Sequence, residues 1–256
     1  MKYYDIEQIN STGIARAIYT SADNPDWKYG KELAVSNCSE LSAQLGIAPD
    51  DITMANQTHT SVIRVVDRDN GGELVTRPLS DSSLKTGFDG LITSQPGLMI
   101  CTVEADCVPV YMLDPVKKAI AMVHSGWRGT VGEICAKAVL ALQENYHTEP
   151  ADLIVHIGPC ICENCYEVGS ELIDEFAKTF GENAAGSFFT PRDKDGIKYN
   201  LDMKKAIRYT LARFGVKREN ITAENRCTFE TEELCSWRRQ RPVKTSMLTA
   251  IMLNKK

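Results

Sequence analysis

No apolar run in the chain approaches the roughly 20 residues that a membrane-spanning helix needs, so no membrane partner is expected. The opening MKYYDIEQIN has one lysine and no apolar core behind it. A secretory signal is therefore not expected, and the expected location is cytoplasmic. There is no basic block either. Lys and Arg number 29 against 34 Asp and Glu, a net charge of −5 spread along the chain, which argues against a nucleic-acid partner. Repeats, low-complexity segments and linkers are missing, and 256 residues of ordinary composition suit one mixed α/β domain over 1–256. Histidine is the scarcest chemical resource, with four in the whole chain.

Cysteine is plentiful by contrast. There are nine, an odd number, in a chain expected to stay in a reducing compartment. A disulfide framework is not expected, so a cysteine with a function should be a metal ligand or a nucleophile.

The chain turns on residues 99–131, MICTVEADCVPVYMLDPVKKAIAMVHSGWRGTV. Two apolar runs, 108–113 and 119–123, flank the turn signal Asp114-Pro115, a pattern that predicts two strands in a hairpin. Cys107 precedes the first run and His124 follows the second. Antiparallel pairing would bring them to one sheet edge. Elsewhere, the pattern predicts short strands within 1–35 and a strand over 61–66, with Gln57-Thr58-His59 at its mouth. Order resumes over 88–93, and short strands are expected over 153–157, 221–223 and 246–253. A polar loop covers 68–87. Helices are expected from an Asn37–Glu40 capping box to about Leu45, from a Thr130–Glu133 box to about Asn145, and over 171–180 and 201–214. Residues 125–129 read as a turn.

Of the four histidines, His147 sits at the polar end of a helix and His156 lies inside an apolar strand, where a core histidine satisfied by a hydrogen bond is expected. His59 and His124 lie beside turns at strand ends, where functional groups of layered folds collect. With Cys107 they supply two imidazoles and a thiolate, the ligand set of a catalytic zinc site with an open fourth position. A Cys–His hydrolase, with Cys107 as nucleophile and His124 as its base, uses two of the same residues, and sequence chemistry does not separate the two. Asp106 is a candidate partner or acid–base group, or the cap of a turn. Arg128 and Gly129, at an expected helix start, are candidates for anion binding, against a surface arginine stacked on Trp127. Arg238, Arg239 and Arg241 follow Trp237 as a second basic group, either a solvated loop or an anion contact. Cys160, Cys162 and Cys165 form a Cys-x-Cys-x-x-Cys cluster that lacks a fourth close ligand for a metal, and buried thiols in a tight turn are the alternative.

Four blocks carry a resemblance: DGLITSQPGLMICTVEADCVPVYMLDP, AIAMVHSGWRGTV, HIGPCICENCYEVG and CTFETEELCSWRRQRPVKTSMLTAIML. In this order, from about residue 50 onward, they resemble the laccase-domain (multicopper polyphenol oxidoreductase) family. Its members are described as purine nucleoside phosphorylases with adenosine deaminase activity, and some bacterial ones as peptidoglycan editing factors. The resemblance implies an α+β fold, a layered mixed-sheet domain flanked by helices, similar to a bacterial toxin cysteine hydrolase. It implies zinc ligation by His59, Cys107 and His124, with copper as the other metal to consider. It also implies purine nucleoside and phosphate as small-molecule partners, with a monomer or weak homodimer as the expected assembly.

The chain departs from the family pattern at four places. Thr58 and Thr60 flank His59 where Val and Gly are usual, Ser125 replaces an alanine, and Glu104 stands where Thr precedes Ala-Asp-Cys. An arginine expected near Thr20-Ser21-Ala22 is absent. Four functions remain: a zinc nucleoside phosphorylase and deaminase using Asp106 or Glu104 as proton shuttle, a Cys–His amide hydrolase, a copper phenol oxidase, and a structural zinc protein. With so few histidines, the several coppers of oxygen reduction are hard to assemble.

Overall fold

The computed structural model describes residues 1–23, 27, 32–66, 87–194, 196–241 and 245–255. The expected loop over 68–87 lies almost wholly outside them. In chain order the elements begin with β1 (Tyr3–Asp5), α1 (Glu7–Asn10), β2 (Ala15–Thr20), α2 (Glu32–Leu45), β3 (Ile52–Met54), β4 (Ile63–Val65), β5 (Gly90–Thr93) and β6 (Met99–Glu104). Next come β7 (Val108–Asp114), β8 (Ala119–Ser125), α3 (Trp127–Val131), α4 (Ile134–Tyr146), β9 (Ile154–Ile157), β10 (Glu167–Gly169), α5 (Glu171–Phe180) and α6 (Glu182–Gly186). The chain closes with β11 (Phe189–Pro191), β12 (Lys198–Leu201), α7 (Met203–Arg213), β13 (Ile221–Ala223), α8 (Trp237–Gln240) and β14 (Met247–Leu253).

Among the described residues two large mixed sheets form, in the orders β1-β2-β14-β6-β3 and β13-β9-β7-β8-β5-β4, with a small third sheet β10-β12-β11. The expected hairpin is β7–β8, antiparallel, with Val108 opposite Ser125 and Pro109 opposite His124. Its turn is held by the Asp114 carboxylate, which accepts from the backbone N–H groups of Val116 and Lys117 at 2.8 and 2.9 Å. Both strands are buried along their whole length. Their alternate side chains enter two different cores. Val110, Met112, Ala121 and Val123 pack with Val139, Leu142, Phe176 and Leu211 of the helices. Tyr111, Leu113, Ile120 and Met122 pack with Tyr19, Ile100 and Ile251 of the other sheet. A strand buried on both faces loses the polar alternation of a surface strand, which is why these two read as continuous apolar runs. The outer face of the β14-β6 sheet, through Cys101, Leu248 and Ala250, carries Cys38 and Leu41 of α2. The result is four layers, helix–sheet–sheet–helix, an α+β architecture as expected.

Three local expectations are corrected. Helix α2 starts at Glu32, so Asn37 lies inside it rather than capping it; the helix-favouring Leu33 and Ala34 carry the helix through that point. The segment 125–129 is not all turn, since Trp127–Val131 is helical. The Thr130–Glu133 capping box does not form. The Thr130 hydroxyl lies 2.8 Å from Ser125 Oγ and donates to the Gly126 carbonyl at 3.1 Å, while Glu133 adopts a left-handed conformation (φ 54°) before α4 begins. The break has a cause in packing. A Cβ on Gly129 would sit 3.2 Å from the Thr60 carbonyl, and one on Gly132 would sit 2.8 Å from the Ser61 Cβ. These two glycines let the 60–61 segment lie against the α3–α4 corner, which seats the adjoining His59.

Candidate metal centre

His124 is the penultimate residue of β8 and Cys107 precedes β7, so the hairpin register brings them together as the sequence pattern predicts. His59 arrives from the turn before β4. One nitrogen of each imidazole and the Cys107 sulfur all lie within 4.8 Å of one another. The two rings meet edge to face, with centroids 5.1 Å apart. Gly126 leaves the space for this cluster: a Cβ there would lie 3.2 Å from Cys107 Sγ and 3.3 Å from His59 Cδ2.

The anchor is Asp89, which the sequence reading missed. It is fully buried just before β5 and accepts from His59 N (3.0 Å), Thr60 N (2.7 Å) and Thr60 Oγ1 (2.7 Å). His124 Nδ1 lies 2.8 Å from the same carboxylate. Burial opposes ionisation of Asp89, yet its bonds with His124 and Thr60 hold the carboxyl below the usual range. One anion therefore holds His59 in a left-handed backbone conformation (φ 61°) and fixes His124 with Nδ1–H inward and Nε2 outward. Thr60, a departure from the family pattern, contributes a hydroxyl to this cage. Nothing local marks Asp89 in the sequence, because its role depends on β5 lying beside β8, and those strands are not neighbours in the chain.

Burial pushes the Cys107 thiol up, but the charge on His124 and hydrogen bonds from His124 and His59 outweigh it and bring the thiol down to about 6. Burial likewise disfavours a charged His124, and the opposing charges of Glu104 and Cys107 hold the imidazole well above its ordinary value. A ready thiolate beside two imidazoles, with Nε2 of His124 unclaimed by Asp89, is a donor set that fits zinc through three protein ligands and leaves a fourth position open.

Among the described residues three carboxyl groups lie around the cluster and differ in what they touch. Asp106, a candidate partner or acid–base group, has both carboxylate oxygens engaged as hydrogen-bond acceptors. One of its oxygens accepts from Thr228 Oγ1 and the other from Arg238 N, both at 2.6 Å. Asp106 thus ties two distant segments to the strand start. Glu104 is 1% exposed; Thr102 donates to one of its oxygens at 2.8 Å, and the other has no partner and lies 3.7 Å from His124 Nε2. Burial raises its carboxyl well above the usual range.

A cavity of about 310 Å³ opens beside Cys107, with Trp127, Tyr166, Trp237, Arg238 and Arg241 in its wall. Guanidinium groups lie over all three rings: Arg128 4.3 Å from Trp127, Arg241 5.5 Å from Trp237, and Arg238 5.6 Å from Tyr166. Arg128 is therefore the ring-stacked arginine of the alternative reading. Gly129 is buried under Thr60 rather than facing the cavity. Arg239 is structural and donates to the carbonyls of Phe229 (2.7 Å) and Thr231 (3.2 Å). Tyr166 was not singled out from sequence. His156 is the core histidine expected, with Nδ1 2.9 Å from Thr222 Oγ1, and His147 is exposed at the end of α4.

A His–Cys–His cluster that could hold a metal ion, beside an aromatic and cationic cavity, marks the candidate site. The chain belongs to the family described as multi-copper polyphenol oxidoreductase laccase, whose pattern matches residues 9–254. It is 32% identical over 221 residues to the purine nucleoside phosphorylase YlmD of Geobacillus stearothermophilus, covering 85% of this chain and 77% of that one. It is 33% identical over 189 residues to an adenosine deaminase, RL5, from an unknown prokaryotic organism, covering 73% and 69%. Its fold is similar to that of YfiH from Bacillus licheniformis, with a TM-score of 0.87, 25% identity, and coverage of 99% of this chain and 97% of that one. No helix among the described residues is long and apolar enough to cross a membrane.

Proposed function

We propose that this chain is a zinc-dependent purine nucleoside enzyme. It would phosphorolyse adenosine, inosine and methylthioadenosine to base and ribose 1-phosphate, and deaminate adenosine. The observation that carries this reading is the juxtaposition of the His59–Cys107–His124 cluster with a cavity whose rings are each overlain by an arginine. The names of the relatives support the same substrate class.

In this reading His59, Cys107 and His124 hold the zinc, which when bound supplies Lewis-acid activation at the open position. Trp127, Tyr166 and Trp237 take the flat apolar base. Arg238 and Arg241, in the cavity wall, hold phosphate where positive charge develops on the sugar; Arg128 supports them from behind Trp127. Gly129 contributes by close packing rather than by a free N–H. Glu104 is the group that holds or moves a proton, because it alone of the three described acids around the cluster keeps an oxygen without a hydrogen bond. All these residues come from one domain of one chain, so the reading needs no partner subunit, and a monomer or weak homodimer suffices. It also needs a reduced Cys107, which sets the work in the cytoplasm.

The test is incubation of the purified protein with adenosine, with and without phosphate, and chromatography of the products. Adenine and ribose 1-phosphate only with phosphate, together with inosine in either case, are the expected result. Product no greater than from Cys107→Ala refutes the reading.

One observation favours a second reading, an amide hydrolase acting on peptidoglycan precursors. Cys107, His124 and Asp89 form a nucleophile–base–carboxylate line, with the thiol brought down to about 6. Activity on such amides in metal-stripped protein, with a covalent adduct on Cys107, would establish it in place of the nucleoside chemistry.

A further inference from the structure

The cysteine cluster that lacked a fourth ligand in sequence gains two partners in space. Cys162 and Cys165 flank a single 3₁₀ turn, Glu163–Cys165, in the loop after β9. The loop after β13 lies against it, because β13 pairs in parallel with β9 and the two strand ends run out side by side. That second loop carries Cys227 and, three residues on, Glu230. The sulfurs of Cys162, Cys165 and Cys227 and a carboxylate oxygen of Glu230 all lie within 4.8 Å of one another. The pattern is Cys-x-x-Cys facing Cys-x-x-Glu, two short knuckles from distant segments, which is the spacing of closed zinc sites. A tetrahedral ion with Zn–S bonds of ~2.3 Å sets its sulfurs about 3.8 Å apart, within the observed spread.

The backbone is arranged as a thiolate site requires. Cys162 N donates to Cys227 Sγ at 3.3 Å, and Thr228 N donates to the Cys160 carbonyl at 3.1 Å, locking the two loops in register. Cys160 points elsewhere, into the helix-side core. Cys165 Sγ donates to Glu230 at 3.3 Å, a proton that a cation would displace.

We propose that Cys162, Cys165, Cys227 and Glu230 form a second zinc site, structural rather than catalytic, that clips the loop after β9 to the loop after β13. Binding Zn²⁺ releases the thiol protons and leaves three thiolates and one carboxylate on the ion, a closed four-ligand sphere with no open position. Its mechanical consequence reaches the first centre. Thr228, next to Cys227, donates to Asp106, and Asp106 also fixes Arg238 N at the cavity wall. A clip at Cys227 therefore steadies Arg238 in the cavity wall through Asp106, the residue before Cys107.

The experiment measures zinc per chain in the full-length protein at buffered free zinc. A His59→Ala/Cys107→Ala/His124→Ala variant removes the first centre, and it should still hold one zinc per chain. Loading it with cobalt instead should give intense sulfur-to-metal charge-transfer absorption. Adding Cys162→Ser and Cys165→Ser should abolish both. Because those serines could impair folding, Glu230→Ala, at an exposed position, is the second probe. It should weaken zinc binding at the clip by at least about tenfold, the scale that even outer partners of a metal command, with Glu230→His restoring it. No zinc in the triple variant overturns the proposal, as does mass-spectrometric detection of a Cys162–Cys165 or Cys162–Cys227 disulfide in protein purified under reducing conditions. Unchanged affinity in Glu230→Ala overturns the four-ligand assignment. Nucleoside turnover is not the readout, so failure here and failure of the proposed activity are distinguishable.

Discussion

Replacing Asp89 by asparagine tests whether one carboxylate sets both histidines. The wild-type side chain faces donors only: His59 N, Thr60 N, Thr60 Oγ1, a longer contact from Thr58 N at 3.3 Å, and His124 Nδ1. An amide offers one acceptor and one donor group. With its oxygen on the Thr60 side, its NH₂ faces His59 N–H and His124 Nδ1. His59 N then loses its bond inside the protein, at a cost of about 1–3 kcal/mol. His124 can satisfy the new donor only by accepting at Nδ1, which protonates Nε2, the nitrogen that a metal needs. Metal affinity should fall ~10–100-fold, equivalent to about 1.4–2.7 kcal/mol. The stability loss should lower Tm by about 2–10 °C for a chain of this size. Zinc competition against a chromophoric chelator, with calorimetry on the metal-free form, reads the two effects separately. Affinity within twofold of wild type and an unchanged Tm would refute the anchor argument. Thr60→Val, which removes one hydroxyl bond and keeps the carboxylate, should show a smaller loss in both.

Glu104→Gln should retain metal and lower kcat by ~10²–10⁴-fold, since the amide cannot exchange a proton from the same position; metal analysis beside steady-state kinetics checks both parts. Arg238→Ala should raise KM for phosphate more than it lowers kcat, because the backbone N–H that holds Asp106 remains, and phosphate titrations at saturating nucleoside measure the split. His156 should make the fold acid-sensitive. Burial lowers its imidazole to about 4, with Lys204 adding to the effect and Glu224 opposing it. Above the unfolded value of ~6.5 both states are neutral, whereas between 6.5 and 4 only the unfolded chain takes up the proton, so stability falls with pH by up to about 3 kcal/mol in all. Urea midpoints at pH 7 and 4.5 should converge for His156→Gln, and an unchanged pH dependence would count against this assignment.

Much of this was legible where one local pattern sufficed. Asp114-Pro115 between two apolar runs defined the β7–β8 hairpin, and with it the meeting of Cys107 and His124. The helix over 171–180 and the strand over 221–223 stand where their periodicity predicted them. What could not be read depended on pairings between segments far apart in sequence. Asp89 acquires its role only when β5 lies beside β8. Cys227 and Glu230 reach Cys162 and Cys165 only because β13 adds to β9 in parallel, 65 residues away for Cys162 and Cys227. The failed capping box at Thr130 is the same lesson at short range. Its local signal was sound, but the approach of residues 60–61 turned the chain and left the hydroxyl bonded to Ser125 and Gly126.

The three acids around the centre show how partner count assigns roles that residue type cannot. Asp89 and Asp106 each adjoin strained backbone: His59 has φ 61° in the turn that Asp89 holds, and Asp106 itself has φ 83°. Such residues cost about 1–3 kcal/mol each. Hydrogen bonds to a charged acceptor, worth about 1.5–3 kcal/mol apiece, are strong enough to offset that. Both carboxylates are therefore occupied in holding geometry, and neutralising either would release the segments they join. Glu104 accepts no hydrogen bond from the protein on its second oxygen, and it is 1% exposed. A buried carboxyl oxygen without a hydrogen bond is expensive to keep, by the desolvation cost of a buried polar atom. Its distance of 3.7 Å from Nε2 of His124 would give that cost a use in the proposed chemistry, since a proton held there lies beside the His–Cys–His cluster. In the proposed chemistry proton transfer therefore falls to Glu104, while both Asp106 oxygens hold neighbouring segments, although Asp106 is the nearer of the two to Cys107 along the chain.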